Sequence, residues 1–308
     1  MLKQLRQNII HHLWQQYRGN TTHMQAIESK LREHGVTDTT LDHFAVIDLP
    51  GPNTGISHLS QMFSAIGYLP QGRDYLPEKQ NEFLWMTEID SYSSIAKDVL
   101  PQVVVADFWL QEMPPSIQKI IEKYASQAAP APIRDIHQLM GRVYSGDENA
   151  AMRVSLLFNQ YFTGRDWPLP TVNEFHTVKE FNELLAWVLV FGRKPNHFTL
   201  SVHLLSHFKN LDEFHHFIEH QVNLQLNDEG GTMKGGQAAG IAQGSTKGII
   251  QTVELEDGAV ELPTGFVEFV WRFANNSSSI QPLLWKDYFP GFIAHHANHV
   301  IESLYTVT

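Results

Sequence analysis

Two short segments of the chain share one pattern. Leu41-Asp42-His43-Phe44-Ala45-Val46 is echoed by Pro195-Asn196-His197-Phe198-Thr199-Leu200, and each copy puts a histidine at the head of a strand-like apolar run. The two histidines stand 154 positions apart in a chain of 308 residues, which points to two structural modules in tandem. If the modules pack about a pseudo-twofold axis, both imidazoles reach one shared cleft. A carboxylate is then expected from the last strand of a module, the one that pairs beside the first. In the second module that strand reads Phe266-Val267-Glu268-Phe269-Val270-Trp271-Arg272. Glu268 is an acid among apolar and aromatic residues, and an ionised carboxylate there needs a metal or another cation. Two histidines and one carboxylate leave coordination positions open, which suits non-haem Fe(II) and dioxygen chemistry.

Other polar residues fall near these three. Arg272 lies four residues after Glu268 and so on the same strand face. It either meets an anionic substrate or pairs structurally with a neighbouring carboxylate. Thr199 and Ser201 share the face of His197, while Gln243, Ser245 and Thr246 follow a Gly-rich stretch. All five are candidates for binding substrate oxygens, with backbone hydrogen bonding as the plainer role. Asp48, Asp107 and Glu88 are candidate fourth ligands from the first module. His216 and His220 have the i, i+4 spacing of a helical metal pair, but no HExxH-type acid accompanies them, and they read as solvated. The Gly-rich stretch 230–236 lacks the ending and following helix of a phosphate loop and reads as a mobile flap over the cleft.

The elements that must position these residues follow from periodicity. Residues 1–36 read as two amphipathic helices. The first module, 37–112, reads strand 44–49, helix 56–66, then strands 68–75, 82–89 and 102–110. A helical insertion occupies 113–192, with 178–190 as its last helix. The second module, 193–275, repeats the order: strand 197–203, helix 211–221, then strands 248–255, 258–262 and 266–273, with a hairpin signal at Asp257-Gly258. A tail at 276–308 ends in a helix. Two βαβββ units with helical additions make an α+β protein, read as a single unit around a central metal cleft.

Composition narrows the chemistry. The formal net charge of −11 repels phosphate backbones and anionic lipid, so neither nucleic acid nor membrane is an expected partner. With no cysteine, thiolate metal sites and cysteine nucleophiles are excluded, and any metal must use imidazole and carboxylate. There is no GxSxG elbow for a serine hydrolase. The N-terminus lacks the apolar run of a secretory signal and no segment approaches a membrane span, so a cytoplasmic location is the default expectation.

Around the three candidate ligands, and also at Asn227-Asp228-Glu229-Gly230-Gly231 and Gln243-Gly244-Ser245-Thr246, the chain resembles the DUF1338 family. That family belongs to the vicinal-oxygen-chelate superfamily and includes the 2-oxoadipate dioxygenase/decarboxylases of lysine catabolism. The resemblance implies paired glyoxalase/dioxygenase-like modules, with His43, His197 and Glu268 as iron ligands. It also implies conversion of a 2-oxo dicarboxylic acid and O2 to a shorter 2-hydroxy acid and CO2. The characterised oxoadipate enzymes carry an arginine four residues after the first ligand, holding the substrate carboxylate, and here that position is Ile47. Arg272 is the residue that could partly replace it. Two other readings use the same scaffold. One is a glyoxalase-like isomerase or lyase using Zn, Ni or Mn with a fourth ligand from the Glu88 or Asp107 strands. The other is a non-catalytic small-molecule-binding protein with an apolar, metal-free cleft.

Overall fold

Apolar residues spaced by three and four build the first helix, α1 (Leu2–Asn20), which turns Leu5, Ile9, Leu13 and Tyr17 inward. Thr21 separates it from α2 (Thr22–Glu33). The computed structural model describes residues 1–37, 39–275 and 282–305. The chain then forms β1 (Leu41–Ile47), α3 (Ile56–Ala65), β2 (Tyr68–Leu76), β3 (Asn81–Glu88) and β4 (Gln102–Phe108). Five helices follow: α4 (Pro115–Ala125), α5 (Ile133–Tyr144), α6 (Glu148–Tyr161), α7 (Val172–Phe181) and α8 (Glu183–Phe191). The single helix read at 178–190 is divided between α7 and α8 by Asn182. Its extended backbone stops α7, and its side chain accepts the Leu185 N–H to cap α8.

The second module comprises β5 (Phe198–Ser201), α9 (Leu211–Phe217), β6 (Lys234–Gly236), β7 (Ile241–Ser245), β8 (Ile250–Glu254), β9 (Ala259–Pro263) and β10 (Glu268–Arg272). Helix α10 (Ala294–Ile301) lies near the end of the described chain, and residues 276–281 and 306–308 of the expected tail lie outside the described residues. No described helix is long and apolar enough to cross a membrane. Eight strands form one sheet in the order β2-β3-β4-β1-β5-β10-β7-β6. Strands β1 and β4 are parallel, as are β5 and β10, and the modules join where β1 pairs antiparallel with β5. The fold is α+β, with the two modules merged into one sheet.

Two expectations for the second module are corrected. Strands β8 and β9, read from sequence as its middle strands, form a separate two-stranded sheet. Their places are taken by β6, drawn from the segment read as a mobile flap, and by β7, which follows that segment. Gly235, at φ +88, is why that segment can pack: a Cβ there would lie 2.3 Å from the Ile241 carbonyl oxygen and 2.8 Å from the His296 ring. Gly230 and Gly235 serve close packing under α10, against His299 and His296.

The period of two along the strands separates a core face from a site face. Phe44 and Val46 of β1, Val103 and Val105 of β4, Phe198 and Leu200 of β5 and Phe269 of β10 pack in one apolar cluster with α1 and α3. His43, Ala45, Ile47, Val104, Ala106 and Glu268 alternate onto the opposite face and line a cavity. Ala297, Val300 and Ile301 of α10 close it. The buried Lys79 holds α10 there, donating to Asn298 Oδ1 at 2.7 Å and Glu302 Oε1 at 3.3 Å.

Candidate metal centre

Strands β1, β5 and β10 are neighbours, and each places one side chain in the cleft. His43 comes from β1, His197 immediately precedes β5, and Glu268 opens β10 in register with Thr199. The three ligand atoms lie within 4.8 Å of one another, and all three residues are buried. Glu268 Oε2 is 3.0 Å from His43 Nε2 and 3.1 Å from His197 Nε2. Two ligand atoms each about 2.1 Å from one ion, at right angles to each other, are about 3.0 Å apart. The two distances from Glu268 Oε2 therefore suit ligand atoms that share one ion.

Proton placement supports a cation between them. His43 Nδ1 donates to Asp42 Oδ1 at 2.8 Å, and His197 Nδ1 donates to Asn196 Oδ1 at 2.6 Å. Each Nε2 is thereby left to offer a lone pair toward a carboxylate, which is itself an acceptor. Three acceptors facing one point need a proton or a metal ion. Burial opposes a charge on His43, but Glu268 and Asp42 outweigh it and push its pKa up to about 9. Burial likewise opposes ionisation of Glu268, yet His43 and His197 hold its carboxyl well below the usual range. Desolvation lowers the pKa of His197 despite Glu268 beside it. The ring of Phe292 stands edge-on to His43 at 4.8 Å, and Phe266 stacks on His197 at 4.8 Å, so both imidazoles are fixed and shielded.

A bulge makes the orienting residue available. Leu41 pairs with Leu200 and Phe44 with Phe198, so β1 carries one extra residue between them. The irregularity falls at Asp42-His43 and lets consecutive side chains serve the same cleft. Orienting groups of this kind set tautomer and ring direction.

The residues singled out as substrate binders have different fates. Thr199 Oγ1 lies 3.1 Å from His43 Nε2 and donates to Glu268 Oε2 at 2.9 Å. Gln243 donates to Glu268 Oε1 at 2.7 Å, and its own amide oxygen has no hydrogen-bond partner among the described residues. Ser245 bonds to Ser303 Oγ at 3.0 Å in a polar cluster with Asn227. Thr246 turns away from the cleft, accepting the Val267 N–H and meeting His23 of α2. Arg272 also departs from the substrate reading. Its Nε and one terminal nitrogen donate to the two Asp42 oxygens at 2.7 and 2.8 Å. Its remaining N–H groups go to Gln102 Oε1 and the carbonyls of Phe289 and Gly291. All five donors are used within the protein, and Arg272 pairs structurally with a carboxylate.

The candidate fourth ligands are engaged elsewhere. Asp48 accepts from Gly55 N and pairs with Arg193, Asp107 accepts from Ile56 N, and Glu88 accepts from Leu100 N. His216 and His220 are exposed. The residues that sequence reasoning missed are Asp42, Asn196 and Gln102. The first two were visible in the repeat itself, where each histidine follows a residue with a short side-chain oxygen.

Comparison with known proteins identifies the family. A family model described as 2-oxoadipate dioxygenase/decarboxylase matches residues 7–275. A plant relative so named, from Arabidopsis thaliana and designated chloroplastic, is 27% identical over 86% of this chain and 68% of its own length. Its counterpart from Oryza sativa subsp. japonica, designated chloroplastic/amyloplastic, is 27% identical over 75% of this chain and 59% of its own length. The chain thus spans about three fifths to two thirds of these relatives. The crystal structure of hydroxyglutarate synthase in complex with 2-oxoadipate from Oryza sativa superposes with a TM-score of 0.78 at 23% identity, covering 98% of this chain and 93% of that one. The expected cytoplasmic location is corrected: both plant relatives carry plastid designations, so the lack of a secretory-type segment does not decide the compartment.

Proposed function

The chain belongs to the 2-oxoadipate dioxygenase/decarboxylase family, and from that premise we propose that it oxidatively decarboxylates a small 2-oxo acid at a mononuclear Fe(II) centre held by His43, His197 and Glu268. The observation that carries this reading is the convergence of those three buried groups with both Nε2 atoms directed at one carboxylate oxygen. When bound, the iron supplies open positions for a 2-oxo carboxylate and O2. The reaction balances without an external reductant. C1 of the 2-oxo acid leaves as CO2, C2 becomes the new carboxyl, and C3 gains a hydroxyl, the two oxygen atoms of O2 being divided between C2 and C3. The product is a 2-hydroxy acid one carbon shorter.

The chain's own groups prepare the site. Gln243 occupies Glu268 Oε1 and so leaves Oε2 as the single atom turned to the histidines. Asp42 and Asn196 keep both Nδ1 atoms protonated and both Nε2 atoms free. Arg272 holds Asp42 by two hydrogen bonds and acts through it as a positioning residue. Phe266, Phe292 and α10 exclude water from the cleft.

A fourth ligand from the Glu88 or Asp107 strands would favour the glyoxalase-like reading, and none joins the three among the described residues. Family membership makes the chain an enzyme, which disfavours the non-catalytic alternative. The test is oxygen uptake by Fe(II)-loaded protein with a panel of 2-oxo acids, measuring CO2 and the 2-hydroxy acid together. Equal amounts of O2 consumed and CO2 released are expected. No uptake with any 2-oxo acid, in protein shown to hold iron at this site, would refute the proposal.

A further inference from the structure

The cavity leads away from the three ligands toward the first module. Its far walls are Ala45 and Ile47 of β1, Val104 of β4, Phe83 of β3, Leu184 of α8 and Phe292. Four of its polar lining groups, His43, His197, Gln243 and Glu268, sit at the metal end. The fifth, Asn81, donates its amide to the Asp107 carbonyl at 2.7 Å. Among the described residues, no lysine or arginine lines this space. The buried cations around it are committed elsewhere. Arg272 spends all five donors within the protein, and Lys79 is bound to Asn298 and Glu302 of the C-terminal segment. Arg193 is held by Asp48 and Asp166. Lys234 of β6 donates to the Asn227 carbonyl and interacts electrostatically with Glu268, so it stands toward the metal end and not at the far walls.

A second carboxylate carried into this end would lose its hydration and find no countercharge. An apolar chain entering the same space gains about fourfold in affinity per buried methylene.

Resting on the function proposed above, we infer that the substrate is a monocarboxylic 2-oxo acid with a short aliphatic side chain, and that Ile47, Phe83 and Val104 are its specificity-determining contacts. The closest discriminating pairs differ only at the distal carbon: 2-oxohexanoate against 2-oxoadipate, and 2-oxopentanoate against 2-oxoglutarate.

Two measurements on the wild-type chain test it. Calorimetric titration of Zn(II)-loaded protein reads binding without turnover, and oxygen uptake by the Fe(II)-loaded protein reads kcat/KM. The aliphatic member of each pair should bind and turn over at least about 100-fold better than its dicarboxylic partner. Affinity should rise from pyruvate to 2-oxohexanoate by about fourfold per methylene. For 2-oxohexanoate the product is 2-hydroxypentanoate with one CO2 per O2. Equal or better binding of 2-oxoadipate or 2-oxoglutarate, or a flat chain-length series, overturns this inference while leaving the oxidative decarboxylation intact. Failure of every 2-oxo acid with metal bound at the three ligands refutes the proposed function, and the inference falls with it.

Discussion

Replacing Arg272 by methionine separates a positioning role from substrate anchoring. The guanidinium is fully buried and clamps both oxygens of Asp42 at 2.7 and 2.8 Å, and Asp42 in turn accepts the Nδ1 proton of His43. Burial opposes ionisation of Asp42, and Arg272 with His43 holds its carboxyl far below the usual range. Arg272→Met strands that carboxylate in the interior and orphans Gln102 Oε1 and the carbonyls of Phe289 and Gly291. Removing one partner of a buried ion pair costs about 3–5 kcal/mol, a large share of the roughly 5–15 kcal/mol that holds a domain together. Loosening the group that orients a ligating histidine weakens metal binding by about 10–100-fold. Urea unfolding of the metal-free protein measures the first effect, and a competitive Zn(II) titration measures the second. Adding Asp42→Asn removes the stranded charge, so the double variant should be less destabilised than the two single losses together, by about 1–3 kcal/mol. Full stability and unchanged metal affinity, with only a raised KM, would put the guanidinium on the substrate and refute the reasoning.

Glu268→Gln keeps the shape of the only carboxylate among the three ligands but removes its charge; metal content after dialysis should fall to near zero while circular dichroism is unchanged, and full occupancy would show that another acid is the ligand. Asn196→Leu removes the acceptor for His197 Nδ1, and Zn(II) affinity should drop by about 10–100-fold, read in the same competition titration. Asp107 has its pKa raised to about 6, chiefly by burial and with Glu82 and Asp48 adding to it, while the Ile56 N–H opposes. Its folded state therefore binds the proton more tightly than the unfolded chain, so this contribution to stability is present at low pH and lost as pH rises from about 4 to 6. Asp107→Asn should flatten that part of the stability profile in urea unfolding, by about 3 kcal/mol at most, and an unchanged slope would show that Asp107 titrates normally.

Much of the site is written locally. His43 and His197 announce themselves because each heads an apolar run within a repeated pattern, and Glu268 because an acid in an aromatic strand has to be compensated. The strand and helix order of the first module follows from alternation of apolar residues, a property of adjacent positions. The second module was harder because β6 and β7 carry little alternation. Lys234-Gly235-Gly236 becomes a strand only when Ile241–Ser245 offers its edge and α10 covers it. The hairpin β8–β9 alternates well yet joins no other strand, since strand partners are chosen by packing rather than propensity. Arg272 shows the same limit at the level of one side chain. Its position beside Glu268 was legible, but its partner lies 230 residues earlier, at a bulge that no local pattern marks. Thr246, one residue past Ser245, faces away from the cleft for an equally non-local reason, the approach of His23 and the Val267 amide. Residue types and their spacing determine which groups can do chemistry. Which of them remain free to do it depends on the distant partners that folding delivers, because a buried charge or donor is claimed by whatever countergroup the tertiary structure brings within hydrogen-bond reach.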